Sequence, residues 1–225
     1  MQEVNIGRKK KTDPLKGQVI LDIAVRNGLI TDATGRALTN NRVVTSSVQT
    51  KYGVPSMYFD GNSYLTTPSA TPDLWLPGEF TIEAHAFFVS PMSTFPSLFG
   101  NYTTWPNSNA LQFFASHSNP SASGKYSVAL VGSFPALLSA SPVIYSAWHH
   151  IALTRNAAGL MKIWVNGVAE PSSITNTAEL YGTKDIVSIG APSDSLAYGG
   201  IKGYLNAMRV TKSCRYTASF IPAPF

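Results

Sequence analysis

Turn-forming residues divide this chain into short segments, and this division restricts its fold more than any other feature. Fifteen prolines and seventeen glycines are spread over 225 residues, and the runs between them are rich in Val, Ile, Phe, Tyr, Trp and Thr. Such runs are typical of short strands joined by turns. The pattern predicts an all-β domain, a sandwich or a barrel, and the 44% hydrophobic content can supply one sizeable core.

Strands are predicted wherever a β-prone run lies between turn signals. The predicted strands are 18–25, 54–59, 64–67, 80–89, 97–102, 110–116, 125–131, a run near 143–145, 186–190 and 202–211. Residues 80–89 (FTIEAHAFFV) alternate most regularly, which places Ile82 and Thr81 on opposite faces of a sheet. Residues 72–79 are predicted to form a loop or a short helical turn, and the aromatic tail 215–225 to lie over the domain.

A hairpin in the second half of the chain is the best-defined unit. WHHIALTR (148–155) and LMKIWV (160–165) are predicted to be its strands, joined by the loop 156–159. Asn166-Gly167 follows, a pair that tolerates the positive φ angles of a type I′ turn. We read residues 18–225 as one antiparallel sandwich.

The positive charge of the chain is concentrated at its N-terminal end. Residues 1–51 hold nine Lys or Arg and four Asp or Glu, whereas residues 52–225 hold eight of each. Four of the cations are consecutive: Arg8, Lys9, Lys10 and Lys11. We predict that residues 1–17 form a basic arm for assembly with other proteins. Nucleic acid is the alternative partner, but no aromatic residues are interleaved with these cations.

The cysteine content and the hydropathy of the chain indicate the cellular compartment in which it is made. Cys214 is the single cysteine, so neither an internal disulfide nor a thiolate zinc site is expected. No apolar run approaches the roughly 20 residues of a membrane span, and no secretory signal is visible. These features predict synthesis and assembly in a reducing cytosol, without membrane insertion.

Six segments occur in one order along the chain: YFDGNSYL, FTIEAHAFF, WHHIALTR, KIWVNGV, SIG and GYLNAMRVTKSCRYTASFIPAPF. Together they resemble laminin-G-like, concanavalin-A-like jelly-roll domains, especially those of bacteriophage virion proteins that end in an Arg-Tyr-Thr motif and a Pro-Phe tail. The resemblance covers about residues 18–225. It implies a two-sheet antiparallel jelly roll, but this fold serves lectins, glycosidases, adhesion modules and virion parts alike.

The acidic residues do not form the pattern of a glycosidase. Such enzymes need paired carboxylates that point into one cleft. No such pair occurs on one predicted strand, and Lys125 is the single charged residue between positions 86 and 154. We predict no catalytic residue.

The adjacent histidines His149 and His150 raise the question of a metal or catalytic site. Successive strand residues point to opposite faces, so the two rings cannot bind one metal. Neither ring has a predicted acidic or metal-binding neighbour. We predict that one packs inside the sandwich and that the other lies on the opposite surface of the sheet.

Calcium is the one cofactor kept as an alternative, because jelly-roll domains of the kind resembled here often bind it in rim loops through Asp, Asn and backbone oxygens. The candidate ligands are Asp60, Asn62, Asp73 and Asp194. For Asp60-Gly61 we favour a turn in which the Asp side chain caps its own loop. No cofactor is predicted.

Loop aromatics beside amides give the candidate binding residues: Phe95, Tyr102, Trp105, Asn107, Asn109 and Phe134. Aromatic rings pack on the C–H groups of sugars while amides bond their hydroxyls. The same composition suits a protein interface. The sequence does not distinguish between a sugar and a protein as the ligand of these residues.

We therefore predict a non-enzymatic bacteriophage virion structural protein, a tail, baseplate, fibre or capsid-surface component made in the host cytoplasm. Its predicted partners are other virion proteins, copies of itself and a host-surface glycan. One alternative is a free carbohydrate-binding or adhesion module, opposed by the absent signal peptide and disulfides. The other is a glycoside hydrolase, opposed by the missing carboxylates.

Overall fold

A computed structural model describes residues 13–68, 74–101, 109–130, 132–181, 186–193 and 196–225. In this part of the chain two antiparallel β-sheets enclose one hydrophobic core, which is the jelly-roll sandwich predicted from the sequence. Helical structure here includes two short 3-10 turns, Lys16–Gln18 and Leu196–Tyr198. No helix within the described residues has the length and apolar character that a membrane crossing needs.

The strands are numbered in chain order. The nine-stranded sheet contains β1 (Val19–Arg26), β2 (Leu29–Asp32), β4 (Val44–Lys51), β5 (Val54–Asp60), β7 (Phe80–Phe88), β12 (Trp148–Arg155), β13 (Leu160–Val165), β14 (Val168–Thr175) and β16 (Lys202–Thr211). The seven-stranded sheet contains β3 (Thr39–Asn41), β6 (Tyr64–Pro68), β8 (Ser97–Gly100), β9 (Leu111–Phe114), β10 (Lys125–Leu130), β11 (Ser133–Pro142) and β15 (Ile186–Gly190).

The first and last strands of the chain meet in the middle of the nine-stranded sheet. Its order is β14-β13-β12-β7-β16-β1-β2, and β5 also pairs with β16 and carries β4. Asp22 of β1 lies opposite Arg209 of β16, and Glu83 of β7 lies opposite the same arginine on the other side. The sheet is therefore complete only when β16 is in place.

The alternation predicted for residues 80–89 is confirmed in β7. Ile82 and Phe88 are buried in the core between the sheets, whereas Glu83 and His85 lie on the outer face. The outer side chains are buried as well, because residues 212–225, here called the C-terminal segment, cross over them. The ring of Phe225 stacks 4.9 Å from that of His85. The sequence prediction for the tail is thus confirmed.

The turn predicted at Asp60-Gly61 joins β5 to β6, which belong to different sheets. One local prediction is wrong. The run near 143–145 is not a strand: β11 ends at Pro142, and Tyr145 makes an isolated bridge to Phe88. The strand β11 was missed because its sequence, SFPALLSASP, is poor in β-branched residues and contains two prolines.

Candidate functional site

Three connections between strands meet at one edge of the sandwich. They are the loop after β7 (89–96), the loop between β9 and β10 (115–124) and the link between β11 and β12 (143–147). Together they line a cavity of about 420 Å³, here called the rim cavity. Its lining consists of residues 90–94, 116–118, 123, 124 and Tyr145.

Hydroxyl groups are the main polar groups of the rim cavity. They belong to Ser90, Ser93, Thr94, Ser116, Ser118, Ser123 and Tyr145. Ser93 donates to the carbonyl of Gly200 at 2.5 Å, and the Ser116 hydroxyl accepts the N–H of Gly124 at 3.1 Å. No Asp, Glu, Lys or Arg is among the described residues that line the cavity. The polar lining is therefore uncharged and can both donate and accept hydrogen bonds.

An aromatic cluster adjoins these hydroxyls, with His117 at its centre. The His117 ring lies 4.5 Å from Phe95, 4.2 Å from Phe134 and 5.0 Å from Phe114, measured between ring centroids. Tyr198, which is 62% exposed, extends the cluster at 5.7 Å from Phe95. Aromatic faces beside hydroxyls are the two surfaces that a sugar ring needs for its C–H and O–H groups.

The surroundings of His117 determine its protonation. Its Nδ1 accepts the backbone N–H of Asn119 at 2.9 Å, which assigns the ring proton to Nε2. Partial burial lowers the pKa of His117 to about 4. Near pH 7 the ring is therefore an uncharged aromatic group with one N–H donor.

A second cluster, ionic and buried, lies on the outer face of the nine-stranded sheet beneath the C-terminal segment. Glu83 is 1% exposed, and its Oε1 lies 2.7 Å from Nη2 of Arg209. Its Oε2 lies 3.0 Å from Nε2 of His150 and accepts the hydroxyl of Tyr216 at 2.5 Å. The carboxylate thus joins three strands and the C-terminal segment at one point, since β7 carries it between β12 and β16.

Charge compensation keeps Glu83 ionised. Burial alone would raise its pKa, but the hydrogen bond from His150 and the charge of Arg209 outweigh burial and lower the pKa to about 2. Burial raises the pKa of Tyr216, and the neighbouring carboxylate raises it further. Both oxygens of Glu83 are engaged, so the cluster fastens the C-terminal segment to the sheet.

The two adjacent histidines lie on opposite faces of β12, as predicted. His149 is inside the sandwich, where its Nε2 lies 2.7 Å from the hydroxyl of Tyr126 and burial lowers its pKa to about 4. His150 lies on the outer face with Glu83. The prediction that His150 lacks an acidic neighbour is wrong, because β7 and β12 pair across 67 positions of sequence and bring the carboxylate to it.

The structure brings together two of the predicted binding residues, Phe95 and Phe134, on either side of His117. Phe134 is not in a loop as expected, but near the start of β11. Asn109 lies elsewhere: its carbonyl accepts the N–H of Tyr181 at 2.6 Å, and Tyr181 packs on Trp75. Tyr102, Trp105 and Asn107 lie outside the described residues, as do the arm residues Arg8, Lys9, Lys10 and Lys11.

His117 was not identified from the sequence. It stands alone in a Ser- and Asn-rich loop, SHSNPSASG, with no motif around it. Its importance depends on aromatic neighbours that are 22 positions before it and 17 positions after it, and only the folded seven-stranded sheet places them side by side. The sequence offered one indication of its role: a lone histidine lies between two aromatic residues that were both predicted to be in loops.

The calcium candidates are not assembled into a site within the described residues. Oδ1 of Asp60 accepts the backbone N–H of Asn62 at 2.8 Å, which is the self-capped turn favoured from the sequence. Asp73 and Asp194 lie outside the described residues. Across the part of the chain that the structure describes, no group of three or more His, Cys, Asp or Glu could hold a metal ion.

Comparisons with known proteins agree with this architecture. The family model for the concanavalin A-like lectin/glucanases superfamily (Laminin_G_3) matches residues 59–218. No curated protein sequence matches the chain.

Solved structures with the same fold include several binding domains. Domain 4 of AbnA, a GH43 extracellular arabinanase from Geobacillus stearothermophilus, solved with arabinotriose, is 14% identical, with a TM-score of 0.64 over 88% of this chain and 93% of that domain. The binding domain of Paraclostridial Mosquitocidal Protein 1 is 14% identical, with a TM-score of 0.58 over 89% of this chain and 50% of its own.

The binding domain of botulinum neurotoxin DC, solved with SialylT, is 11% identical, with a TM-score of 0.59 over 88% of this chain and 48% of its own. The chain thus spans about half the length of the two toxin binding domains. At these identities the likeness concerns the fold.

Proposed function

Because the chain belongs to the concanavalin A-like lectin/glucanases superfamily, we propose that it is a non-enzymatic carbohydrate-binding domain whose glycan site is the rim cavity. The observation that carries this proposal is the His117 ring, held between Phe95 and Phe134 beside a lining of hydroxyl groups. The rings of His117 and Tyr145 in the lining, together with its neutral hydrogen-bonding groups, match the alternating C–H and O–H surfaces of a sugar.

The absence of carboxylates from the described lining supports binding rather than cleavage. Glycoside hydrolysis uses an acid and a base or nucleophile within about 5–10 Å of each other. Glu83, a buried carboxylate described above, is covered by the C-terminal segment and bonded through both oxygens. The arabinotriose complex of the AbnA domain further supports a glycan-binding role for this fold.

A second, more specific proposal concerns the particle that carries this domain. We propose that it is carried by a bacteriophage virion, as a tail, baseplate, fibre or capsid-surface component assembled in the host cytoplasm. Its ligand there would be a host-surface glycan, and its partners other virion proteins and copies of itself. The resemblance of the six sequence segments supports this placement. The toxin binding domains with the same fold favour the alternative, a free adhesion module, which would use the same cavity.

A glycan array followed by calorimetry on the best ligand tests the proposal. We expect His117→Ala to weaken binding at least about tenfold, since a lost ring contact of about 1.4 kcal/mol corresponds to that factor. Phe134→Ala should also weaken binding, because it removes the ring that packs 4.2 Å from His117. Trp75→Ala is the matched control, because Trp75 is a half-exposed aromatic near the start of β7, whereas the cavity adjoins the end of that strand.

Circular dichroism would establish that each variant is folded. The proposal fails if the full chain binds no glycan. Its placement in the rim cavity fails if Trp75→Ala abolishes binding while His117→Ala does not.

A further inference from the structure

We propose that the rim cavity selects uncharged saccharides and rejects those that carry a carboxylate or sulfate group at the bound residue. This inference rests on the proposed function and names its ligand class. It follows from three features of the described lining: the absence of cations, the prior use of the loop amides, and a histidine whose lone pair is already engaged.

The described lining contains no group that could neutralise an anion. All of its polar side chains are hydroxyls or the His117 ring. Lys125 directly follows the lining residue Gly124 but is not itself part of the lining. A carboxylate that binds in such a site gives up part of its hydration without gaining a cation in return, which costs more than it does for a hydroxyl.

Backbone amides can replace cations in anion sites, but those of the 115–124 loop are mostly in use. Six N–H groups from 118 to 125 donate within the protein, those of Ser118, Asn119, Ser121, Ala122, Gly124 and Lys125. Their acceptors are the Thr94 carbonyl, Nδ1 of His117 and oxygen atoms of the loop itself. The loop is folded around its own acceptors and does not present a cluster of free donors.

The remaining hydrogen-bonding capacity suits neutral sugars. Thr94, Ser118 and Ser123 are exposed residues of the lining, and the hydroxyl of each can donate and accept at once. Nε2 of His117 supplies a further donor. A sugar hydroxyl can satisfy either role, whereas a carboxylate can only accept. The set of groups is therefore matched to polyols and mismatched to sugar acids.

Paired glycans provide the test. The full chain is assayed near pH 7 against neutral oligosaccharides, each printed alongside the same oligosaccharide capped with sialic acid, uronic acid or sulfate. We expect the neutral member of a pair to bind at least about tenfold more tightly than its acidic counterpart. Ser123 is exposed and lines the cavity, so Ser123→Lys should raise affinity for the acidic member severalfold. The uncharged control, Ser123→Gln, should not.

The outcomes separate the two proposals. Acidic glycans that bind as tightly as their neutral counterparts would overturn the selectivity while leaving glycan binding intact. An unchanged preference in Ser123→Lys would also contradict it, because the added charge would then have no bearing on the ligand. Failure to bind any glycan would overturn the proposed function itself.

Discussion

Glu83 is the residue at which distant parts of the chain converge. Its carboxylate contacts β12 through His150, β16 through Arg209 and the C-terminal segment through Tyr216. Asp13 extends the cluster to the residues before β1, since it accepts one hydrogen bond from Arg209 and two from Arg215. A buried anion of this kind is tolerated because each oxygen has charged or hydrogen-bonding partners.

Replacing Glu83 with Gln should therefore destabilise the fold strongly. The change removes the 2.7 Å ion pair between Arg209 and Glu83 and leaves Asp13 as the remaining carboxylate partner of Arg209. Breaking a buried ion pair costs up to about 3–5 kcal/mol in comparable sites. Urea denaturation near pH 7 would measure the free energy of unfolding. Glu79→Gln is the matched control: Glu79 is exposed, and its replacement should change stability by less than about 0.5 kcal/mol. Equal effects of the two substitutions would contradict the role assigned to the cluster.

Single-residue predictions from sequence succeeded where strand alternation alone decided them. The opposite orientations of His149 and His150 follow from the two-residue period of a strand. The partners of these side chains do not follow from it, because Glu83 and Tyr126 come from other strands. For the same reason, Phe95 and Phe134 could be recognised as binding candidates, while His117 between them could not.

Two hairpin turns of this fold have nearly the same backbone and differ in one contact. Asn27-Gly28 joins β1 to β2, and Asn166-Gly167 joins β13 to β14. The φ angles are +51° and +79° in the first turn and +50° and +80° in the second. A side chain at Gly28 would meet no atom within 4 Å, whereas one at Gly167 would overlap the carbonyl of Phe220 in the C-terminal segment.

This similarity allows the docking of the C-terminal segment to be tested. Gly28→Ala and Gly167→Ala should impose the same backbone strain. Gly167→Ala should lose a further 1–3 kcal/mol or so by overpacking, and should release the segment for chymotryptic cleavage at Tyr216 or Phe220. Thermal unfolding and limited proteolysis of both variants would show the difference. Identical behaviour would mean that the segment contributes little to stability.

Strands could be predicted from sequence where they are apolar, and their pairing where the partner strand is adjacent in the chain. The hairpin of β12 and β13 was predicted because its strands are adjacent and its turn residues lie next to them. The strands β2, β3, β4 and β14 were missed, since they are short or mostly exposed and lack apolar alternation. An edge strand is fixed by its neighbour's free hydrogen-bonding groups, which the sequence of the strand does not encode.

For the molecule as a whole, two buried histidines and one partly buried histidine should make stability depend on pH. The pKa values of His85, His117 and His149 are each lowered to about 4, chiefly by burial. Between roughly pH 6.5 and 4 these residues are protonated in the unfolded chain and neutral in the folded one. Acid therefore favours unfolding over this range, with a slope of up to about 1.4 kcal/mol per pH unit for each histidine.

Glu83 continues the trend at lower pH. Its pKa of about 2 in the folded state lies below the ordinary value for Glu, so its contribution is lost as the pH falls from about 4.5 towards 2. Urea denaturation at several pH values should show stability falling steadily below about pH 6.5. His149→Gln should reduce the slope of the unfolding free energy against pH between pH 6 and 4.5, because about one proton fewer is taken up on unfolding. A stability curve that stays flat in that interval would contradict the prediction.

The position of β16 between β1 and β7 has a consequence for synthesis. The strand next to β1 lies about 180 positions later in the chain, so at roughly 5–20 residues per second β1 emerges from the ribosome on the order of ten seconds or more before its partner exists. During that interval β1 and β7 present unpaired edges that could join the wrong strands. The folding of this domain is therefore a late event, and its period of greatest exposure to aggregation and to chaperones comes before the last strand is made.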